Sequence, residues 1–169
     1  ARAALRAAGL DAVLLFAPES QYWLTGYDTF GFAMFQCMVL DADGNIDLLT
    51  RAPDLRQAQH TSILTDDQIH IWAEYEGAQP AADLQDLLIQ RGLDGGRIGI
   101  ETETVGLTAA NWEALRSAIG RDVTPADALM RDLRWVKTAA EVEMIRRAAA
   151  LSDDALDAGL AATGAGAFE

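Results

Sequence analysis

The stretch RDLRWVKTAAEVEMIRRAA, residues 131–149, carries the most information about the fold of this chain. Trp135 and Val136 favour extended backbone, and Thr138 then supplies an N-cap hydroxyl. Glu141 stands three residues after Thr138, which is the spacing of a reciprocal capping box. The stretch therefore predicts an extended approach that turns sharply into a helix.

The helix predicted after Thr138 is apolar over a wide stripe. Its apolar positions recur every three or four residues, at Val142, Met144, Ile145, Ala148, Ala149, Leu151, Ala155 and Leu156. Such a stripe can cover two neighbouring surfaces. We expect the helix to pack on a second copy of the chain or to fray after about Ala161, where glycines at 164 and 166 lower the helix propensity.

Upstream of this stretch, short apolar runs are bounded by glycine or turn residues. Residues 11–16 follow Gly9 and predict a strand buried on both faces. Residues 32–40 are the longest strand candidate and are apolar on both faces, which predicts a central strand. The turn residues 41–44 join the strand at 32–40 to a returning strand at 45–50, so an antiparallel hairpin is expected.

After the hairpin, predicted helices and strands alternate. Helices are expected at 53–60, 80–91 and 108–119, and strands at 68–73, 97–101 and 122–124. A hairpin followed by such alternation predicts a three-layer α/β fold, with a mixed sheet of about six strands and helices on both faces.

Composition excludes several classes of protein. Half of the 169 residues are apolar and 23% are charged, which is ordinary for a globular domain. The net charge of −13 argues against nucleic acid and anionic membrane surfaces as partners. No apolar run approaches the length of a membrane span. Cys37 is the single cysteine and has no internal disulfide partner, so a cytoplasmic location is expected.

Few residues suggest chemistry. His60 and His70 are the only histidines, and nothing in their spacing brings them together, so we expect partly exposed surface histidines and no metal role. Glu101 and Glu103 lie at the carboxyl end of a predicted strand. A catalytic pair is one interpretation, but we favour acceptors near the entry to the helix at Thr108. Cys37 is expected to be a small buried apolar residue.

Three phrases, in this order along the chain, resemble the pita-bread metallohydrolases, which include prolidase, aminopeptidase P and creatinase. They are AGLDAVLLF at 8–16, YWLTGY at 22–27 and LRxVKTxxEVxxIRxA at 133–148. The resemblance implies the ribonuclease-H-like fold of the creatinase/prolidase N-terminal domain over residues 1–132. It also implies that residues 133–169 are the junction and the first helix of a catalytic domain.

The same resemblance implies a function. The chain would be the non-catalytic N-terminal domain of a prolidase- or creatinase-like hydrolase, inactive alone, that shapes the substrate site and a homodimer. The substrate would be a small peptide or amide. Two divalent metal ions (Mn, Co or Zn) are expected in the complete enzyme, with no metal ligand in this chain. Phe35-Gln36-Cys37 stands where creatinase has Phe-Gly-Arg, which argues against creatine.

Tyr27, Phe30 and Phe35 are the candidates for a wall of the substrate site. Phe35, like Phe32, lies in a predicted strand and is more readily explained as core. Tyr27 and Phe30 lie in a loop between Gly26 and Gly31, where aromatic side chains at the surface more often serve recognition.

Two alternatives to this function stay open. One is the N-terminal domain of a binding protein whose pita-bread half has lost its metal. The other is a free-standing α/β binding domain.

Overall fold

A computed structural model describes residues 1–166, so the last three residues of the predicted segment 133–169 lie outside the described part. Contacts divide the chain into two compact units, Ala1–Leu133 and the residues from Arg134 onward. Within residues 1–166, no helix is both long and apolar enough to cross a membrane.

Six strands and seven α-helices make up the described chain. The strands are β1 (Ala12–Leu15), β2 (Cys37–Asp41), β3 (Ile46–Arg51), β4 (Ile69–Trp72), β5 (Ile98–Ile100) and β6 (Thr124–Pro125). The helices are α1 (Arg2–Ala7), α2 (Pro18–Thr25), α3 (Leu55–Thr61), α4 (Pro80–Gln90), α5 (Ala109–Ile119), α6 (Asp127–Trp135) and α7 (Ala139–Ala162). Short 3-10 turns cover Gly31–Ala33, Ala52–Asp54 and Asp66–Gln68.

The strands form one mixed sheet in the order β4-β3-β2-β1-β5-β6. Strand β2 is antiparallel to both β1 and β3, whereas β1, β5 and β6 are parallel to one another, as are β3 and β4. Five strands therefore run in one direction, and their carboxyl ends meet at the same edge of the sheet.

Two apolar clusters cover the two faces of the sheet. On one face, side chains of α4 and α5 pack on strand residues such as Leu14 and Ile100. On the other face, α1, α3 and α6 contribute Leu5, Ala58 and Met130. The three-layer α/β architecture predicted from the sequence is confirmed.

The predicted hairpin is present, and Asp41 explains its tight turn. One oxygen of its carboxylate accepts hydrogen bonds from the backbone amides of Asp43, Gly44 and Asn45, at 2.7–2.9 Å. Gly44 adopts a φ of 97°, a conformation that glycine takes without a steric penalty. The turn sequence thus sets the register of β2 on β3.

The strand predicted at 32–40 is shorter than expected. Only Cys37–Asp41 is extended, and Gly31–Ala33 forms a 3-10 turn. The backbone amide of Gly31 donates to the Thr29 hydroxyl at 2.7 Å, which starts the turn before the chain enters the sheet. An apolar run alone does not separate such a turn from a strand.

The extended approach predicted at Trp135 is also wrong. Helix α6 continues through Trp135, and only the short link to α7 is non-helical. Leu129, Met130 and Leu133 pack at helical spacing on the apolar cluster behind α6. Burial of this face outweighs the weak β-preference of one tryptophan.

Helix α7 begins with the capping box that the sequence predicted. The Thr138 hydroxyl accepts from the backbone amide of Glu141 at 3.2 Å, and the Glu141 carboxylate accepts from the amide of Thr138 at 2.7 Å. None of its residues is buried, and its apolar stripe leaves Met144, Ile145 and Leu151 more than half exposed.

A buried carboxylate joins α4 to the sheet. Asp47, on β3, accepts two hydrogen bonds from the guanidinium of Arg91, at 2.8 and 2.5 Å. The ring nitrogen Nε2 of His70, on β4, lies 2.7 Å from the same carboxylate. His70 is thus a partly exposed side chain with a structural partner.

We predict that α7 gains little protection in a dilute solution of this chain. An isolated helix of this length is marginal in water, and its capping box stabilises only the first turn. Amide hydrogen exchange over residues 138–158 should be much faster than over β1. Protection equal to that of β1 in a dilute monomer would contradict this prediction.

We also predict that Asp47→Ala lowers the free energy of unfolding by about 1.5–3 kcal/mol, the scale for hydrogen bonds to a charged group. Asp43→Ala is the matched control, because the carboxylate of Asp43 pairs with Arg6 but is 82% exposed, against 5% for Asp47. The control should lose less than about 1 kcal/mol. Urea unfolding measures both free energies. Equal losses would show that the buried Asp47 pair stabilises the fold no more than the exposed Asp43 pair does.

Candidate functional site

The candidate site is the carboxyl edge of the sheet. We define this edge as the residues that follow β1, β3, β4 and β5, together with the aromatic loop. The aromatic loop is residues 26–36, which lead into β2. In α/β sheets this edge is where ligands usually bind. Because β2 runs opposite to its neighbours, its first residues arrive at the same edge.

A buried chain of hydrogen bonds, the amide network, links four polar side chains at this edge. Gln21 donates from Nε2 to the carbonyl of Leu15 at 2.9 Å and accepts at Oε1 from Nε2 of Gln36 at 2.8 Å. Oε1 of Gln36 accepts from the hydroxyls of Tyr27 and Thr50, both at 3.0 Å. All four side chains are buried. The network therefore ties the carboxyl ends of β1 and β3 to the start of β2.

The structure corrects the expected surface position of Tyr27. Its side chain is fully buried in the apolar cluster that faces α1, α3 and α6, and its hydroxyl donates to Gln36. Burial raises the pKa of the Tyr27 phenol above its ordinary value. The position of Tyr27 in a loop between two glycines did not predict its burial, because the partner of its hydroxyl lies nine residues further along the chain.

Phe30 and Phe35, the other two wall candidates, have opposite environments. Phe30 is 83% exposed and lies 6.3 Å from Phe32, measured between ring centroids. Phe35 is buried and packs edge-on against Phe16 at 5.7 Å. Of the three candidates, only Phe30 has an exposed ring, whereas Phe35 lines a cavity of about 430 Å³ together with residues of α4 and α5.

Gly31 lies very close to the amide network. A Cβ atom at this position would stand 2.3 Å from Oε1 of Gln36, 2.9 Å from Oγ1 of Thr29 and 3.0 Å from Cγ of Asp54. Asp54 in turn accepts from Nε of Arg51 at 3.2 Å. Glycine is the one residue that leaves these polar groups where they are, which explains its place in the aromatic loop.

Glu101 binds the first turn of α2, whereas the helix expected from the sequence was α5. Its carboxylate accepts from the backbone amide of Ala17 at 3.0 Å and from the hydroxyl of Ser20 at 2.5 Å, at the first turn of α2. Thr108 caps α5 itself. Glu103 is exposed whereas Glu101 is buried, so the two carboxylates do not share one environment. Ser20 is buried as well and is out of reach of a substrate.

Among residues 1–166, no group of three or more His, Cys, Asp or Glu side chains is placed to hold a metal ion. His60 is exposed at the end of α3, and His70 is bound to Asp47. Cys37 is buried, as predicted, at the start of β2. Burial raises the pKa of its thiol well above the ordinary value, and the nearby charge of Glu101 adds to this. A protonated, buried thiol is a poor nucleophile.

Sequence analysis did not identify Gln21 and Gln36 as parts of the site. The signal was nevertheless present, because Gln36 is a lone amide in a run that is otherwise apolar on both faces. A polar side chain in such a run must find buried partners, which predicts a network without naming its members.

The sequence model described as "Creatinase/Prolidase N-terminal domain" matches residues 1–136. The match covers most of the chain, and the chain therefore belongs to this family.

Individual relatives agree with this assignment. Ectoine hydrolase of Halomonas elongata is 26% identical over 151 residues, which are 86% of this chain and 38% of that protein. A dipeptidase structure from Pyrococcus horikoshii is similar, with a TM-score of 0.73 at 22% identity, over 95% of this chain and 42% of that one. The chain thus spans about two fifths of the length of these relatives.

A shorter solved structure has the same fold. A proline dipeptidase chain from Streptococcus pneumoniae aligns with a TM-score of 0.65 at 18% identity, over 80% of this chain and 95% of its own length. The common fold is thus also found in a solved chain that extends little beyond the matched region.

We predict that Cys37 makes stability fall with rising pH. The thiol keeps its proton in the folded chain, where its pKa is raised, but ionises near pH 8.5 when unfolded. The unfolded state then binds fewer protons, so the free energy of unfolding should fall by about 1.4 kcal/mol per pH unit above that value. Urea unfolding at about pH 7 and about pH 9.5 measures the slope.

The control for this prediction is Cys37→Ala, which removes the titrating group and should remove this part of the slope. An equal slope in both proteins would contradict the prediction.

Proposed function

We propose that this chain is the N-terminal, non-catalytic domain of a hydrolase that cleaves an amide, amidine or related C–N bond. Its role is to form one wall of the substrate site. On this proposal, the residues from Arg134 onward begin a catalytic domain, the chain alone is inactive, and the complete protein is a cytoplasmic homodimer.

Family membership and the printed functions of relatives support the proposal. The relative with 26% identity is an ectoine hydrolase. The similar solved structures include dipeptidases. The substrates to test first are therefore ectoine, whose ring contains an amidine C–N bond, and a dipeptide with proline in the second position.

The observation that carries the proposed role is the exposure of Phe30. A phenyl ring left 83% exposed contributes little burial free energy to folding, whereas the rings of Phe16 and Phe35 are buried. Phe30 also stands on the edge of an α/β sheet where ligands usually bind. We propose that Phe30 contacts the substrate and that Tyr27 and Phe35 support its loop from inside the domain.

The metal ions of the complete enzyme belong to another part of the protein. We propose two divalent ions, Mn, Co or Zn, in the catalytic domain. The residues described here do not fit such a pair, because no cluster of ligand side chains occurs among residues 1–166. What this chain supplies is an apolar surface beside the site.

The apolar stripe of α7 is consistent with this division of the protein. Met144, Ile145 and Leu151 are exposed on a helix that has a complete capping box. We propose that a catalytic domain covers this stripe. The coding sequence downstream distinguishes the proposal from its alternatives: five carboxylate and histidine metal ligands indicate an enzyme, their loss indicates a binding protein, and an early stop codon indicates a free-standing domain.

We predict that Phe30→Ala in the complete polypeptide lowers kcat/KM by the equivalent of about 1–3 kcal/mol, the scale of one lost apolar contact. The domain should lose well under the roughly 3–5 kcal/mol typical of a buried phenylalanine. Steady-state kinetics with ectoine and with Ala-Pro, and thermal unfolding of the same protein, give both values.

Ile63→Ala is the matched control, because Ile63 is 77% exposed and lies outside the aromatic loop. It should leave kcat/KM unchanged. If Phe30→Ala unfolds the domain or leaves kcat/KM at the control value, the wall lies elsewhere. If the complete polypeptide hydrolyses neither substrate, the proposed substrate classes are wrong.

A further inference from the structure

Two neighbouring residues at the end of the aromatic loop attach it to the sheet. The carbonyl of Phe35 accepts from Nε1 of Trp72, on β4, at 3.0 Å, and the side chain of Gln36 makes the contacts argued below. Oε1 of Gln36 accepts a hydrogen bond from Tyr27, at the start of the loop, and another from Thr50, on β3. Nε2 of the same amide donates to Gln21, which is held by the carbonyl of Leu15 at the end of β1. Every polar atom of the Gln36 side chain therefore has a buried partner, and those partners come from three segments.

The middle of the loop rests on the same oxygen. Gly31 approaches Oε1 of Gln36 so closely that a methyl group would stand 2.3 Å from it. The 3-10 turn that starts at Gly31 has its own hydrogen bonds, from the amide of Ala33 to the carbonyl of Phe30 and from Met34 to Gly31. Phe30 thus lies between two loop residues, Tyr27 and Gly31, that both contact Gln36.

We propose that Gln36 is a positioning residue that holds the aromatic loop, and with it Phe30, in a fixed orientation on the carboxyl edge. The orientation of its amide is set, since only Nε2 can donate to Gln21 and only Oε1 can accept from two hydroxyls. The part of this inference that concerns catalysis depends on the proposed function. The part that concerns the loop does not.

Positioning of this kind has kinetic consequences. Groups that meet a substrate must be held to within about 0.5 Å by their neighbours. A displacement of about 1 Å in a positioning group lowers rates by as much as about 100-fold. If the loop were mobile, the ring of Phe30 would contact the substrate poorly even though the ring itself is intact.

The first test uses two substitutions that remove one hydroxyl each from the same acceptor. Tyr27→Phe deletes the hydrogen bond from the loop, and Thr50→Val deletes the hydrogen bond from β3. Both leave Oε1 of Gln36 with one donor, so similar falls in melting temperature are expected. Hydrogen exchange at the amides of Gly31, Ala33 and Met34 should rise at least tenfold in Tyr27→Phe and stay within about twofold in Thr50→Val.

The second test displaces the loop without deleting any contact. Gly31→Ala pushes a methyl group most closely against Gln36 and also against Thr29 and Asp54, whereas Gly95→Ala, the matched control, meets no atom within 4 Å. Neither glycine has a positive φ. In the complete polypeptide, with whichever of ectoine and Ala-Pro is hydrolysed, Gly31→Ala and Tyr27→Phe should lower kcat/KM by about tenfold or more. Gly95→Ala should not lower it.

A double substitution shows whether the effect passes through Phe30. If Gln36 acts by positioning that ring, Gly31→Ala should lower kcat/KM far less in a Phe30→Ala background than in the native one. A purely structural role would lower kcat/KM equally in both backgrounds, and that result would overturn the catalytic part of the inference.

The part of the inference that concerns the loop is tested separately, by hydrogen exchange on this chain. Equal exchange rates in Tyr27→Phe and Thr50→Val would overturn it, whatever the kinetics show. If loop exchange rises as expected but Phe30→Ala leaves kcat/KM unchanged, Gln36 is confirmed as the residue that holds the loop and the proposed function fails.

Discussion

The buried amide of Gln36 is the constraint on which the geometry of the carboxyl edge depends. A buried amide left without partners costs about 1–3 kcal/mol, so its surroundings must supply both donors and acceptors. Here they come from α2, the aromatic loop and β3, all within 3.0 Å. The same constraint accounts for glycine at position 31 and for the buried hydroxyl of Tyr27, which apolar packing alone does not require.

Local signals in the sequence predicted most of the fold. The capping box at Thr138 and the turn at Asp41 act within a few residues, and each is present in the structure. The site was harder to predict because its bonds join distant residues. Glu101 and Ser20 are 81 positions apart, and no periodicity relates them. Tyr27 appeared to be a surface residue for the same reason.

The domain separates its aromatic residues by role. Phe16 and Phe35 make the edge-on contact of a packed core, whereas Phe30 and Phe32 stay near each other at the edge. Burial of the first pair stabilises the sheet, and exposure of Phe30 leaves an apolar surface beside the strand ends. The buried hydrogen bonds of the amide network give that surface a defined position, which a surface that recognises a small substrate requires.

The most direct test of this account is a crystal structure of the complete polypeptide with a bound substrate or product. The account predicts that the ring of Phe30, from the same subunit or its partner, contacts the ligand within about 4.5 Å. It also predicts that the hydrogen bonds of Gln36 are unchanged from those described here. A ligand bound far from the carboxyl edge, with Phe30 still facing solvent, would contradict it.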